Sequence, residues 1–238
     1  MKEPLQEKRE FYRRPDIADS YDEQRFGGAS GKRVNQRELE IVLGMLPRAG
    51  RILDLACGTG RLTGALAEIQ SEASPQTPGS RVIALDTSQA MAEKAASSGA
   101  PTVVGDAFHT PFANGSFAAV ATLRFAFHCP DLRLLFDEML RLVEPGGTLV
   151  LDTYSWSPRS AFALSSGRWG GRVYLHPRNE VAALATHLGL HVDRVEPCFL
   201  FSPYLYRLAP LPLERVFEAL EGHVPPSWLC RVFWKLRR

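Results

Sequence analysis

Residues 52–63 read ILDLACGTGRLT, a short apolar run that enters a glycine turn and leaves it as a helix. Such a run predicts a buried strand with a sharp turn at its carboxyl end, because glycine adopts backbone conformations closed to other residues. The glycines also let a ligand come close to the main chain, and the N-terminus of the next helix offers unpaired N–H groups to it. The dinucleotide fingerprint Gly-x-Gly-x-x-Gly would need its third glycine at position 63, where Thr63 stands, with Gly64 one place late. What remains is acidic-x-x-x-Gly-x-Gly, from Asp54 to Gly60.

Downstream, the unit repeats. Arg81–Asp86 (RVIALD), Pro101–Asp106 (PTVVGD), Phe117–Arg124 (FAAVATLR) and Gly147–Tyr154 (GTLVLDTY) read as strands, the last after a turn at Pro145-Gly146-Gly147. Helical stretches alternate with them at Gln89–Ser97 and Asp131–Val143. Continuous apolar strands alternating with helices predict a parallel sheet covered on both faces, a doubly wound α/β domain. In such sheets ligands bind at the carboxyl ends of the strands. Asp86 closes the second strand, where a carboxylate can accept both hydroxyls of a ribose, and Asp106 closes the third, where it can accept from an adenine amine. Each alone also reads as a helix N-cap or a solvated turn residue.

The flanks are less regular. Residues 1–20 are polar and predict an arm or frayed helix, and Val34–Leu46 has helical apolar spacing stopped by Pro47 and Gly50. Beyond Tyr154 lie an aromatic, glycine-rich stretch at 155–175, a helix at Glu180–Leu188, a strand-like run at His191–Phe201, and a proline-punctuated segment at 202–227 with a helix at Leu213–Leu220. The tail from Trp228 alternates apolar residues with a period of two, which predicts a terminal strand.

Across 238 residues, 28 Lys and Arg against 26 Asp and Glu leave a net charge of +2. That near-balance argues against a dedicated nucleic-acid binder. Four well-separated cysteines, Cys57, Cys129, Cys198 and Cys230, suit reduced thiols in a cytosol better than a disulfide scaffold. The first residues lack the apolar core of a secretory signal, and no stretch approaches the roughly 18 apolar residues of a membrane span. The expectation is a cytoplasmic protein of a single domain over 1–238.

The segments ILDLACGTG (52–60), ALDTS (84–88), GDAFHTPFANGSFAAV (105–120) and LRLVEPGGTLVLDTY (140–154) occur in an order that resembles class I S-adenosylmethionine-dependent methyltransferases, of the broad group that includes ubiquinone- and menaquinone-biosynthesis enzymes. Tyr21-Asp22 with Arg25-Phe26 is similar to the segment these enzymes fold over the cofactor. The resemblance implies a Rossmann-like sheet of seven strands in order 3-2-1-4-5-7-6, the last antiparallel, with S-adenosylmethionine as cofactor. It implies that residues 1–47 form an arm and helix over the cofactor, 48–154 the binding core, 155–175 and 202–227 an acceptor-side cap, and 228–238 the terminal strand.

By position, the backbone of Ala56, Cys57, Gly58 and Gly60 would face the methionine part, Asp54 would orient the turn, and Asp86 would hold the ribose. Thr87 and Met91 would flank the adenine, Asp106 and Ala107 would meet its edge, and Leu123 and Arg124 would line the sulfonium end, with Tyr21 as a lid contact. The family often has an acidic residue after Phe117, where Ala118 stands here, a position away from the ligand end of the strand.

Acceptor-side chemistry is less legible. His128, just past the fourth strand, is a candidate general base, as a histidine titrates near neutral pH. A packed loop histidine is the plainer alternative. Asp152, at the end of the fifth strand, is the second candidate. His187 and His191 have helical ligand spacing, but Gly189 lies between them and no third ligand is near, so no metal is expected. Cys57 reads as buried beside the cofactor, with a helix start that could lower its pKa.

The expected reaction is in-line methyl transfer to a small, partly apolar acceptor, without nucleic acid as partner. The proline-rich segment at Tyr204–Val224 leaves contact with a lipid surface as an alternative. A nicotinamide-dependent oxidoreductase on a similar fold and a non-catalytic S-adenosylmethionine-binding scaffold are the rival readings.

Overall fold

The computed structural model describes residues 4–73, 81–157, 173–208 and 210–238. Three helices lead, α1 (Pro4–Tyr12), α2 (Pro15–Phe26) and α3 (Gly28–Leu43), where the polar composition of the first 20 residues predicts only an arm or frayed helix. There follow β1 (Ile52–Leu55), α4 (Arg61–Ala73), β2 (Val82–Asp86), α5 (Gln89–Ala96), β3 (Thr102–Val104) and β4 (Phe117–Thr122). A 3-10 turn at Ala126–His128 leads to α6 (Arg133–Leu142) and β5 (Val143–Tyr154). The described residues end with α7 (Arg178–His187), β6 (His191–Cys198), α8 (Pro203–Leu208), α9 (Leu211–Glu221) and β7 (Arg231–Arg237).

The seven strands form one sheet in the order β3-β2-β1-β4-β5-β7-β6. The first five pair in parallel, and β7 runs antiparallel between β5 and β6. The period-two tail is therefore an interior strand, which explains why its residues 231–234 are buried on both faces.

Strand alternation divides the core into two layers. Leu53, Leu55, Val120, Leu149 and Leu151 point to the face covered by Phe136 and Met139 of α6 and Val181 of α7. Ile52, Ala119, Ala121 and Val150 point to the other, against Val34 and Val42 of α3 and Leu62 and Leu66 of α4. Fully burying a side chain of this size contributes about 1.5–3 kcal/mol.

One difference from the sequence reading lies at the start of β5. Pro145-Gly146-Gly147 is not an outside turn but belongs to the strand: Val143 pairs with Phe117, and the register then shifts so that Thr148 meets Ala119. Gly147 is required there, since a Cβ would lie 2.6 Å from Val143 Cγ2 and 2.8 Å from the Ala118 carbonyl oxygen.

Strand order reverses between β2-β1 and β4-β5, and the crevice at that switch, beyond the carboxyl ends of β1, β2 and β4, is where open sheets of this kind take ligands. The described residues leave such a cavity there, of about 900 Å³ counted out to its open mouth.

Candidate functional site

The floor of the cavity is the turn after β1. Ala56, Gly58 and Gly60 all have positive φ (58°, 56° and 85°), so the chain coils tightly between strand and helix. Ala56 holds a left-handed conformation that costs a residue with a Cβ about 1–2 kcal/mol. The two glycines serve different ends. A Cβ on Gly58 would meet nothing within 4 Å and Gly58 lines the cavity, whereas a Cβ on Gly60 would lie 2.6 Å from Ala95 Cα. Gly60, whose backbone is expected to face the cofactor, is not among the residues that line the cavity, and its missing Cβ lets α4 approach α5.

Asp54 lies beneath the turn, not on the cavity wall, and its carboxylate accepts from the Thr63 hydroxyl at 2.6 Å. Burial pushes its carboxyl up to about 6, against the pull of that hydroxyl and of Arg61. Asp86 faces the cavity and is fixed by two backbone donors, Ser88 N–H on Oδ1 and Gly58 N–H on Oδ2, both at 2.8 Å. Burial raises its carboxyl too, with those N–H groups opposing. The same two oxygens keep lone pairs for further donors, since a carboxylate has about four acceptor sites. Cys57 turns out less acidic than an ordinary thiol: burial, reinforced by Asp54 and Asp86, holds its proton on, so its helix-start position does not activate it.

Thr87, Met91, Ala107 and Phe108 form the wall on the β2–β3 side, and Leu123, Arg124 and Phe125 the wall after β4. Asp106 also lines the cavity, and Arg9 Nη2 lies 2.7 Å from each of its carboxylate oxygens.

That contact belongs to a cover that the family resemblance implies for residues 1–47 but that their composition hardly signals. Lys8, Arg9 and Tyr12 from α1, and Tyr21 from α2, complete the cavity wall. Helix α1 is held by Arg9 on Asp106, by Lys8 Nζ at 2.7 Å from His128 Nδ1, and by the Ser88 hydroxyl donating to the Tyr12 carbonyl at 2.7 Å. Helix α2 is held by the Thr59 hydroxyl donating to Asp22 at 2.8 Å and by Lys94 at 3.0 Å from Asp19. The segment expected to cap the acceptor side at 202–227 packs elsewhere: Arg33 and Arg37 of α3 pair with Glu218 and Glu221 of α9. None of its described residues lines the cavity. Most of the other expected cap, residues 158–172, lies outside the described residues.

Below the β4 wall runs a buried charge cluster. Arg124 adopts φ +64°, its N–H donates to Asp152 Oδ1 at 2.5 Å, and its guanidinium lies 2.9 Å from Glu38. Arg231 from β7 bonds both Glu38 and Asp152, and the Arg61 guanidinium stacks 3.7 Å from the Phe26 ring centre. Burial alone would push the Glu38 carboxyl up, yet Arg124, Arg231 and Arg61 together hold it below its ordinary range. The placement of Asp152 corrects its candidacy as a base. It is fully buried, off the cavity wall, with its two oxygens engaged by Arg124 and Arg231. It anchors the turn that carries Arg124.

Of the other expected site residues, Tyr21, Ala56, Cys57, Gly58, Asp86, Thr87, Met91, Asp106, Ala107, Leu123, Arg124 and His128 all line the one cavity. Lys8, Arg9, Tyr12, Thr59, Arg61, Phe108 and Phe125 line it as well and escape the sequence reading.

The sequence family described as "Methyltransferase domain" matches residues 53–151. A demethylmenaquinone methyltransferase of Thermus thermophilus is 34% identical over 139 residues, 56% of this chain and 59% of that protein. Over residues 53–151 the chain is similar to methyltransferase domains. The chain thus aligns with under two thirds of the length of the curated relatives it matches. Solved methyltransferases share the fold over more of the chain. An S-adenosylmethionine-dependent methyltransferase from Mesorhizobium loti superposes with a TM-score of 0.62 at 18% identity, covering 90% of this chain and 100% of the other. Geranyl diphosphate C-methyltransferase from Streptomyces coelicolor, solved with S-adenosyl-L-homocysteine, gives 0.60 at 19% identity, covering 87% and 80%.

The residues of this cavity fit an adenosyl sulfonium. The open space at Gly58 admits a ligand against the backbone, Asp86 offers a pinned carboxylate, and Met91, Phe108 and Leu123 supply apolar walls.

Proposed function

We propose that this chain catalyses methyl transfer from S-adenosylmethionine to a small, partly apolar acceptor. The observation that carries the reading is the cavity itself. The glycine turn and Asp86 line it together with Tyr12, Tyr21 and His128. When bound, S-adenosylmethionine supplies a methyl group on a sulfonium that departs as a neutral thioether with the bonding electron pair.

The chain's residues then bind and orient. Asp86, pinned by Gly58 and Ser88, accepts the ribose hydroxyls; Met91 and Phe108 enclose the base, with Asp106 at its edge; and the backbone at Ala56–Gly58 meets the amino-acid end. Arg124, fixed by Glu38 and Asp152, keeps the loop after β4 rigid at the reacting end. Such catalysis draws mainly on proximity and orientation, which can contribute about 7–11 kcal/mol of a barrier. Helices α1 and α2 cover one side of the cavity, which reduces the access of bulk water to the acceptor.

The apolar and aromatic walls support a small aromatic or conjugated acceptor. Incubating the protein with methyl-labelled S-adenosylmethionine and a panel of aromatic acids and phenols tests this. Label moving into a panel compound, with matching S-adenosylhomocysteine formation, is the expected result. Tight cofactor binding with no transfer to any compound would favour a scaffold instead.

A further inference from the structure

We infer that helix α9 docks the protein on an anionic lipid surface. Its amphipathic sense is inverted. All three of its acids face the protein: Glu214 is fully buried, and Glu218 and Glu221 meet Arg33 and Arg37 of α3. Three of its apolar residues, Leu213, Val216 and Leu220, stand outward instead, 45%, 51% and 44% exposed. Their spacing of i, i+3 and i+7 sets them on one helix face as a stripe. Single exposed apolar residues are ordinary, but a helix that buries its acids and shows an apolar stripe is not.

Charge and place decide what covers the stripe. With the acids turned inward, the exposed charge on α9 is the cation Arg215, and Lys32, also exposed, adjoins Arg33 on the helix that α9 packs against. Cations beside an apolar helix face match an anionic bilayer, whose surface attracts Lys and Arg while its acyl boundary accepts the apolar side chains. Trp228 ends the 3-10 turn Pro226–Trp228 that follows α9, is 59% exposed, and is a residue type that sits at headgroup level. Among the described residues no helix is long and apolar enough to cross a membrane, and α9, with 11 residues, suits a place in the interface plane. The orientation agrees. Arg231, at the start of β7, pairs with Tyr154, at the carboxyl end of β5, so the turn before β7 stands at the end of the sheet that holds the cavity. Docking through α9 and Trp228 would set that end toward the lipid.

The test is flotation of the full chain with vesicles of phosphatidylcholine alone and with vesicles of phosphatidylcholine and phosphatidylglycerol in equal parts. The anionic vesicles should bind about fivefold or more tighter than the neutral ones. Val216→Asp, which sets an anion in the stripe, should weaken binding to the anionic vesicles about tenfold, and Arg215→Glu about fivefold. Both variants should keep the melting temperature within about 4 °C of the parent. No binding to anionic vesicles, equal binding to neutral ones, or binding unchanged in both variants overturns the inference. So does a dimer in solution that Val216→Asp dissociates, since the stripe would then be covered by a second copy. Should either variant fail to fold, Trp228→Phe decides. Vesicles of brominated phosphatidylglycerol should quench the tryptophan emission of the parent and that of the variant far less, and equal quenching overturns the inference. Vesicle binding is read without cofactor, so a failure to bind S-adenosylhomocysteine would count against the methyltransferase reading alone.

Discussion

A single guanidinium nitrogen of Arg9, in the first helix, lies 2.7 Å from each carboxylate oxygen of Asp106, just beyond the third strand. The contact spans 97 residues of sequence and fastens the helical cover to the cavity's far rim. Both side chains are about one-third exposed, 35% and 32%, so solvent screens the pair and it adds only about 0–1 kcal/mol to stability. Its effect belongs to ligand residence. Arg9→Ala should leave the melting temperature within about 4 °C of the parent. The same change should speed release of S-adenosylhomocysteine about threefold or more, measured by stopped-flow displacement.

Gly58 and Gly60 separate ligand contact from packing. Gly60→Ala forces a Cβ against Ala95 at a φ of +85° and should destabilise the fold by more than about 1–2 kcal/mol, read by urea unfolding. Gly58→Ala meets no neighbour and should fold with a smaller loss, yet it fills space at the cavity floor and should weaken cofactor affinity about tenfold. The reverse pattern would contradict the assignment of the two glycines.

The buried charge cluster predicts a large effect with no ligand involved. Asp152→Ala leaves Arg231 with one acid in place of two inside the core, and should cost about 3–5 kcal/mol of unfolding free energy. A loss below about 1 kcal/mol would show that Asp152 is no anchor.

Asp54 makes stability depend on pH. Its carboxyl is raised to about 6, so the folded state favours the protonated form. That contribution is complete below the ordinary aspartate value of about 4 and is lost as pH rises through about 6, in total about 3 kcal/mol. Asp86, raised in the same direction, adds to the fall. Asp54→Asn can still accept from Thr63 and has no proton to lose, so its unfolding free energy should fall less between pH 4 and 7 than that of the parent. Identical profiles would remove Asp54 as a source of the dependence.

The parallel half of the sheet is legible in the sequence because buried strands such as Ile52–Leu55 and Phe117–Thr122 are short, mostly apolar runs. The glycine turn, Asp86 and Asp106 are legible for a similar reason: strand-end geometry limits where they can point. The cover is not. Helices α1 and α2 attach through Lys8, Arg9, Asp19 and Asp22, whose partners lie 37 to 120 residues along the chain, and charged surfaces carry no apolar period to read. Asp152 shows the same limit. An acid ending a strand reads alike as a base or an anchor until Arg231, 79 residues on, is seen beside it.

The most direct test is calorimetric titration of the purified chain with S-adenosylmethionine, S-adenosylhomocysteine and NAD, repeated on Asp86→Ala. Micromolar binding of both adenosyl compounds, no binding of NAD, and a loss of about tenfold or more in the variant are predicted, about 1.4 kcal/mol or more. Folded protein that binds neither adenosyl compound, or prefers NAD, would contradict the account.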